Sequence, residues 1–413
     1  MTHALDAGPG ATLVGAFLRR RVVAGEAFFA AEEARLARLC HRVAGRFARG
    51  GRLIAFGATA ADRSDARHVA VEFVHPVIVG KRALPALGLT RDAGPLPLQV
   101  ELAARPDDVA LAFGGDGGDE GAREVRAALA AARARGCLTI AFTAAGAEWE
   151  FPPPDADPFV RQELVETFYH VLWELVHVFF EHPGLLRETP SAGRDAGASA
   201  FLYPFLGARE ANPEAVVEDV RRSIRMKAAE VSELRGRTVR EGLPALLGAA
   251  DTLRAAFAAG GTLLALGNGG SATDAMDAVA DFRAAPQGWP GRPALDLTED
   301  AAILTAISND VGTDAVFARQ VIAYGREGDV VLALSTSGSS RNVVRALAEA
   351  RGRGLATIAL VGYDGGLILS EGLADHVVVA PSQHVPRIQE AQATAYHLLR
   401  ELVEDAAADP LRL

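Results

Sequence analysis

The stretch from Leu263 to Asp281, LLALGNGGSATDAMDAVAD, decides the fold: four apolar residues, a turn of glycine, asparagine and serine, then a helical pattern. A strand that enters a helix through a small-residue loop is the opening of a β-α-β unit. Residues 53–72, LIAFGATAADRSDARHVAVE, repeat the layout. The two copies differ in complementary ways. The later one keeps a loop suited to holding phosphate, whereas the earlier one keeps His68 and Glu72, suited to metal or proton chemistry.

Outward from this pair the repetition continues. DVALAF (Asp108–Phe113) answers DVVLAL (Asp329–Leu334), and Arg161-Gln162 answers the Arg and Gln of Arg387-Ile388-Gln389. The spacings, roughly 210 to 230 residues, drift as loop insertions would make them drift. Each half opens with a long helical pattern, Ala11–Arg49 and Pro213–Ala259, and residues 184–212 between them are rich in Gly, Ala, Ser and Pro. The reading is a tandem duplication: domain 1 at 11–183, a linker at 184–212 and domain 2 at 213–408. In the later half, TLLALG, DVVLALS, ATIALVG and HVVVAP read as strands, with helices from about Ala272 and over about Arg341–Arg353. Strands alternating with helices predict an α/β fold in which each half is a parallel β-sheet flanked by helices on both faces, a flavodoxin-like αβα sandwich. Ligands of such sheets sit beyond the carboxyl ends of the strands, where Gly267–Ser271 and Ser335–Ser340 fall.

Composition bounds the partners. A chain of 413 residues with 49% hydrophobic and 23% charged residues can bury two cores. A net charge of −10 and a pI near 5.6 argue against nucleic acid or an anionic membrane as the main partner. Two cysteines, Cys40 and Cys137, are too few for a disulfide framework or a thiolate metal cluster. Arg19, Arg20 and Arg21 follow rather than precede a short apolar stretch, unlike a signal peptide. The apolar run Phe168–Phe180 is interrupted by His170, Glu174 and His177 and is too short to span a bilayer. A cytoplasmic protein is expected.

The loops carry recognisable chemistry. Gly267, Gly269 and Gly270 allow tight turns and close approach of backbone amides to an oxyanion, while Asn268 and Ser271 add side-chain donors. Ser335, Thr336, Ser337, Ser339 and Ser340 make a hydroxyl-dense loop, STSGSS, directly before a helix. Hydroxyls and amides can hold a phosphate without a lysine, and no GK[ST] follows. The site therefore suits a phosphosugar better than a nucleoside triphosphate.

GNGGSATDA, AISNDVG (Ala306–Gly312), FARQV, GREGDVVLALSTSGSSRNVVRAL and RIQEAQATAYHLLRELVE closely resemble the phosphoheptose isomerases of the SIS (sugar isomerase) domain superfamily. The resemblance spans residues 213–405 and extends more weakly over 11–183, so the chain reads as two tandem SIS domains. It implies interconversion of sedoheptulose 7-phosphate and a glycero-manno-heptose 7-phosphate, and sites at subunit interfaces of a tetramer. A homodimer of this chain would imitate that tetramer. The family carries a His and, four residues on, a Glu after the glycine loop, then a Gln and a His eight residues apart near the C-terminus, all around zinc. The second half offers Asp277, Asp281, Gln389 and His397 at those positions. The first half offers the full set, His68, Glu72, Gln162 and His170, but its loops have become GATAAD and GGDGGD (Gly114–Asp119), and a carboxylate at Asp116 would repel a phosphate.

The resemblance thus implies zinc held by His68, Glu72, Gln162 and His170, with Glu72 as base and His170 as its partner in an enediol isomerisation. Asn268, Ser271, Asp310, Ser335, Thr336, Ser337, Ser340 and Gln389 would bind the substrate, so that domain 1 supplies chemistry and domain 2 the phosphate grip. On spacing alone, His68 and Glu72 share a helical face. Gln162 and His170 lie about 12 Å apart along a helix, which requires a bend near Gln162, and Glu166, four residues from each, is an alternative ligand or a solvated pair. His75, His177 and His182 read as packing or surface residues; His376 and His384 are left unassigned. Two rival readings stand: a non-catalytic sugar-phosphate-binding regulatory or interaction protein, and a later half that is itself catalytic through Asp281 and His397.

Overall fold

The fold is taken from a computed structural model, which describes residues 9–78, 81–181, 213–285 and 288–404. The linker expected at 184–212 and His182 lie outside these residues. The earlier half runs α1 (Pro9–Ala48), β1 (Leu53–Phe56), α2 (Ala60–Val74), β2 (Ala86–Leu89), α3 (Leu96–Ala103), β3 (Val109–Ala112), α4 (Glu120–Ala134), β4 (Leu138–Ala141), β5 (Trp149–Glu150) and α5 (Pro158–Glu181). The later half opens with α6 (Pro213–Ala258), β6 (Leu263–Leu266), α7 (Gly270–Arg283), β7 (Ala294–Asp296), α8 (Ala301–Asp310) and α9 (Val316–Tyr324). It closes with β8 (Val330–Ser335), α10 (Arg341–Gly352), β9 (Ala356–Gly362), α11 (Gly366–Ser370), β10 (His376–Ala380) and α12 (Val385–Glu404).

Two five-stranded sheets result, with orders β2-β1-β3-β4-β5 and β10-β9-β8-β6-β7. Read from the other edge, the second is β7-β6-β8-β9-β10, the same order as the first. Every recorded pairing is parallel. The reason lies in the strands. LIAF, VALA, LTIA and LLAL are buried at every position, as strands covered on both faces must be.

Alternate residues of the later sheet go to opposite faces. Leu263, Ala265, Leu332 and Leu360 join a core with Ala275, Val279 and Phe282 of α7 and Leu398, Leu399 and Leu402 of α12. Leu264, Leu266, Val331 and Val361 join another with Val321 of α9 and Val343, Ala346, Leu347 and Ala350 of α10. The last four recur at helical spacing, which is why RNVVRALAEARG forms a helix on the sheet. In the earlier sheet, Ile54, Phe56, Ala110 and Ala112 pack with Val100 of α3 and Val125, Ala128 and Leu129 of α4.

The compact units cut across the boundaries expected from the sequence. One comprises residues 1–23, 158–163 and 230–413; the other comprises 24–157 and 164–229. The first turns of α1 and α5 thus group with the later sheet, and the start of α6 with the earlier one. Val14, on α1, is 1% exposed in the core with Leu246, Leu332 and Leu399. No helix among the described residues is long and apolar enough to cross a membrane. Both cysteines are buried and free.

Candidate active site

In both sheets the chain leaves the first strand toward one edge and then crosses to the other. The switch falls between β1 and β3, and between β6 and β8. A crevice opens at the carboxyl ends of such strands. In the later unit, the loops after β6 and β8 flank it. Asn268 and Asn342 join them through paired amides, Nδ2 to Oδ1 at 2.9 Å and 2.8 Å.

Both helices that start there lack a side-chain cap. Gly269 precedes α7 with φ 58°, and Ser340 precedes α10, neither with a capping hydrogen bond. A helix start that its N-cap side chain leaves uncapped is a ready anion seat, although at α10 Val343 N donates to Asn342 Oδ1 at 3.0 Å. The hydroxyls gather at the second one: Ser340 Oγ lies 3.4 Å from Ser335 Oγ and 3.5 Å from Ser337 Oγ. Glycines make the turn possible. A Cβ on Gly267 would sit 2.2 Å from the Ser271 carbonyl, and one on Gly338, at φ +60°, 2.2 Å from the Gly365 carbonyl. Ser271 and Ser335 are buried, Thr336 and Ser340 half-buried, and Asn268, Ser337 and Asp310 exposed. Asp310 ends α8 and accepts from Asn309 Nδ2 at 2.8 Å. Gln389 is buried on α12.

The earlier unit has closed the equivalent seats with its own carboxylates. Thr59 and Asp62 form a capping box at α2, and Asp62 Oδ2 also accepts from Ala58 N at 3.2 Å. Asp119 Oδ1 accepts from Ala122 N at 2.7 Å at α4. Burial holds the Asp62 carboxyl above its ordinary range against the pull of the Thr59 and Ala58 amides, and the nearby Asp116 charge adds to this. Both helix starts of the earlier unit are thus occupied by the chain's own side chains.

What the earlier unit keeps is a buried pair of helical pairs. His68 and Glu72 on α2, and Glu166 and His170 on α5, are each four residues apart, and all are at most 4% exposed. His68 Nε2 lies 3.3 Å from His170 Nε2 and 3.9 Å from Glu72 Oε1. Donor atoms of His68, Glu166 and His170 lie within 4.8 Å of one another. Two imidazoles and two carboxylates buried together suit a divalent cation, which would balance charge that burial otherwise makes costly. Tyr169, beside them, donates its hydroxyl to Asp65 Oδ1 at 3.3 Å.

Gln162 does not follow the expectation. It falls in the unit of the later sheet, where its Nε2 donates to Asp277 Oδ1 at 2.7 Å. The expected bend is absent, since α5 runs unbroken from Pro158 to Glu181. On one continuous helix Glu166, not Gln162, comes one turn before His170.

The later unit's counterpart is a closed network. His397 Nδ1 lies 2.9 Å from Glu163 Oε1, and its Nε2 lies 3.3 Å from Asp281 Oδ2 and 3.6 Å from Asp277 Oδ2. Tyr396 donates to Asp277 at 2.8 Å, Thr394 to Glu163 at 2.6 Å, and Arg21 to Glu163 at 2.7 Å. The Phe159 ring stacks on His397 at 4.5 Å. Burial opposes the imidazolium, but hydrogen bonds with Asp277, Asp281 and Glu163 raise the His397 pKa well above its ordinary value. Burial and the neighbouring Asp277 charge lift Asp281 to about 7, against the pull of His397. Burial also opposes the Glu163 charge, yet Arg21, His397 and Arg235 hold that carboxyl far below its usual range. Sequence reasoning passed over Glu163 and Tyr396. Their neighbours Gln162 and His397 were the only local signal, because their role depends on packing between remote segments.

Two further histidines are tied into the fold by hydrogen bonds. His177 is buried with its ring nitrogens 2.8 Å and 3.0 Å from the Trp173 and Arg82 carbonyls, and His376 meets the Thr252 hydroxyl at 2.9 Å.

The SIS domain family matches residues 228–362. The phosphoheptose isomerase of Geobacter metallireducens is 49% identical over 169 residues, 40% of this chain and 87% of that protein. That of Thermodesulfovibrio yellowstonii is 40% identical over 188 residues, 45% of this chain and 92% of that protein. The chain belongs to the phosphoheptose isomerase family. Two solved structures share the fold along nearly the whole chain. Tagatose-6-phosphate ketose/aldose isomerase from Escherichia coli has a TM-score of 0.56 at 13% identity, covering 97% of this chain and 95% of that one. The C-terminal domain of glucosamine-fructose-6-phosphate aminotransferase from Francisella tularensis has a TM-score of 0.57 at 7% identity, covering 94% and 93%. These two relatives each match less than half of this chain, and the described residues form a second parallel α/β sheet beside the matched one in sequence.

Proposed function

We propose that the protein is a phosphosugar isomerase that interconverts D-sedoheptulose 7-phosphate and D-glycero-D-manno-heptose 7-phosphate. The observation that carries this reading is the likeness to curated phosphoheptose isomerases at 40% and 49% identity over most of their length. The open helix starts and gathered hydroxyls of the later unit support it, since they suit the 7-phosphate. Ser271, Ser335, Ser337 and Ser340 hold that group. Asn268, Thr336, Asp310 and Gln389 meet the sugar hydroxyls.

In the reaction, Glu72 removes the proton from C1 of the ketose while O2 gains a proton, giving an enediol. The proton then returns at C2 as O1 loses one, leaving the aldose, with His170 as the partner group between the oxygens. No redox partner is needed. A zinc ion held by His68, His170 and a carboxylate would polarise the carbonyl. The division of labour, chemistry from the earlier half and grip from the later, rests on reciprocal loss: Asp277 and Asp281 replace one set of residues, GATAAD and GGDGGD the other.

One observation favours a second reading. Asp281, at about 7, is a carboxyl poised near neutral pH with His397 3.3 Å away, which suits an acid–base pair in the later half. Glu72→Gln and Asp281→Asn, assayed for turnover of sedoheptulose 7-phosphate, separate the two. The proposal expects Glu72→Gln to cost about 100-fold or more in kcat and Asp281→Asn to leave most turnover. The opposite pattern transfers catalysis to the later half, and binding of the sugar phosphate without turnover in the unmutated protein marks a sensor. We further propose a homodimer, to be checked by light scattering of the eluting protein.

A further inference from the structure

The resemblance implies a glutamine among the four metal ligands, and here that glutamine, Gln162, donates to Asp277 within the unit of the later sheet. One turn further along α5 stands Glu166, 4% exposed and four residues before His170. Its counterpart in the later half, by the alignment of Gln162 with Gln389, is Ala393. The carboxylate is therefore peculiar to the half that has kept its histidines.

We infer that His68, Glu166 and His170 form the cation-binding set of the earlier unit, with Glu166 in place of the glutamine and Glu72 outside the set. Donor atoms of these three lie within 4.8 Å of one another. The two imidazole nitrogens, 3.3 Å apart, match the edge of a tetrahedron with metal–nitrogen bonds of about 2.0–2.1 Å, itself about 3.3 Å. They come from antiparallel pairs in sequence sense, His-x-x-x-Glu on α2 and Glu-x-x-x-His on α5, so each helix offers one face. Two imidazoles and one carboxylate are the ligand set of catalytic zinc sites that keep one position open. An anionic oxygen in place of an amide strengthens the hold on a divalent cation and lowers the pH at which protons compete for the site.

This deepens the isomerase reading and rests on it for the meaning of the site. His170 then acts as a ligand only and gives up the proton-partner role, and Glu72, 3.9 Å from His68 Nε2, is left as the carrier of the mobile proton. Metal binding itself can be tested apart from turnover. The full-length protein, stripped with chelator and reloaded with zinc or cobalt(II), is compared with Glu166→Gln, Glu166→Ala, Gln162→Ala and Glu72→Gln. Melting curves establish that each is folded, and Glu166→Gln serves if the alanine variant is not.

The expected result is one equivalent of metal in the unmutated protein and at least about tenfold weaker zinc binding in both Glu166 variants. The cobalt spectrum changes in the Glu166 variants, while Gln162→Ala and Glu72→Gln keep both metal and spectrum. Metal lost from Gln162→Ala or Glu72→Gln but held by the Glu166 variants overturns the assignment. So does an unmutated protein that takes up no metal. Neither outcome touches the isomerase reading, which stands or falls on turnover of the heptose phosphate.

Discussion

At the scale of single residues, His397 is the most consequential side chain of the later unit. It is fully buried among three carboxylates, Glu163, Asp277 and Asp281. Removing a charged partner from such a set strands the others. His397→Ala should therefore destabilise the protein by about 3–5 kcal/mol, seen as a lower denaturant midpoint. The same cluster predicts a pH response. Asp281, lifted to about 7 by burial and by Asp277, contributes stability in full only below its unfolded value and loses it as pH rises through 7. His397, also raised, contributes in full below its unfolded value and loses it as pH rises further. Both act in one direction, so the melting temperature should fall as pH climbs from 6 to 9. Asp281→Asn should flatten the decline between pH 5 and 8 in a melting series; parallel curves would count against this account.

At the scale of elements, the contrast between helix starts is the informative feature. α7 and α10 begin without a side-chain cap, whereas α2 and α4 begin with Asp62 and Asp119 in place. Losing one hydroxyl donor at an anion seat costs about 1 kcal/mol. Ser337→Ala and Ser340→Ala should each weaken inorganic phosphate binding about fivefold, read by calorimetry. Asp62→Ala, by contrast, should leave phosphate affinity unchanged and cost about 1 kcal/mol of stability through the lost cap.

At the scale of the whole molecule, neither unit is a contiguous half of the chain. Among the described residues, the later sheet's unit includes residues 9–23 and 158–163, and the earlier sheet's unit includes 164–181 and 213–229. Val14 shares the later core, and Val216, Val220 and Ile224 at the start of α6 are buried in the earlier unit. Residues 1–183 or 213–413 expressed alone should therefore fail to give a cooperative melt, whereas the two co-expressed should restore one. Two fragments that each melt cooperatively alone would refute this.

Much was legible without coordinates. LLAL, VVLALS, ATIALVG and HVVVA announced their strands by apolar runs, RNVVRALAEARG its helix by period, and the glycine and serine loops their place at strand ends. The family likeness and the parallel α/β fold followed from those patterns. The strands β2, β5 and β7 are not legible in the sequence: ALGL is broken by a glycine and only partly buried, and WE and ALD are too brief to carry a periodic signal.

The sequence determined which residues could act locally: His68 with Glu72, Glu166 with His170, and the hydroxyls of 335–340, all set by one turn of helix or one loop. Tertiary structure alone decided which of these meet. It paired Gln162 with Asp277, enclosed His397 among carboxylates from two remote helices, and split α5 between two units. Local periodicity fixes the face on which a side chain lies, but its partner is fixed by packing between segments more than a hundred residues apart.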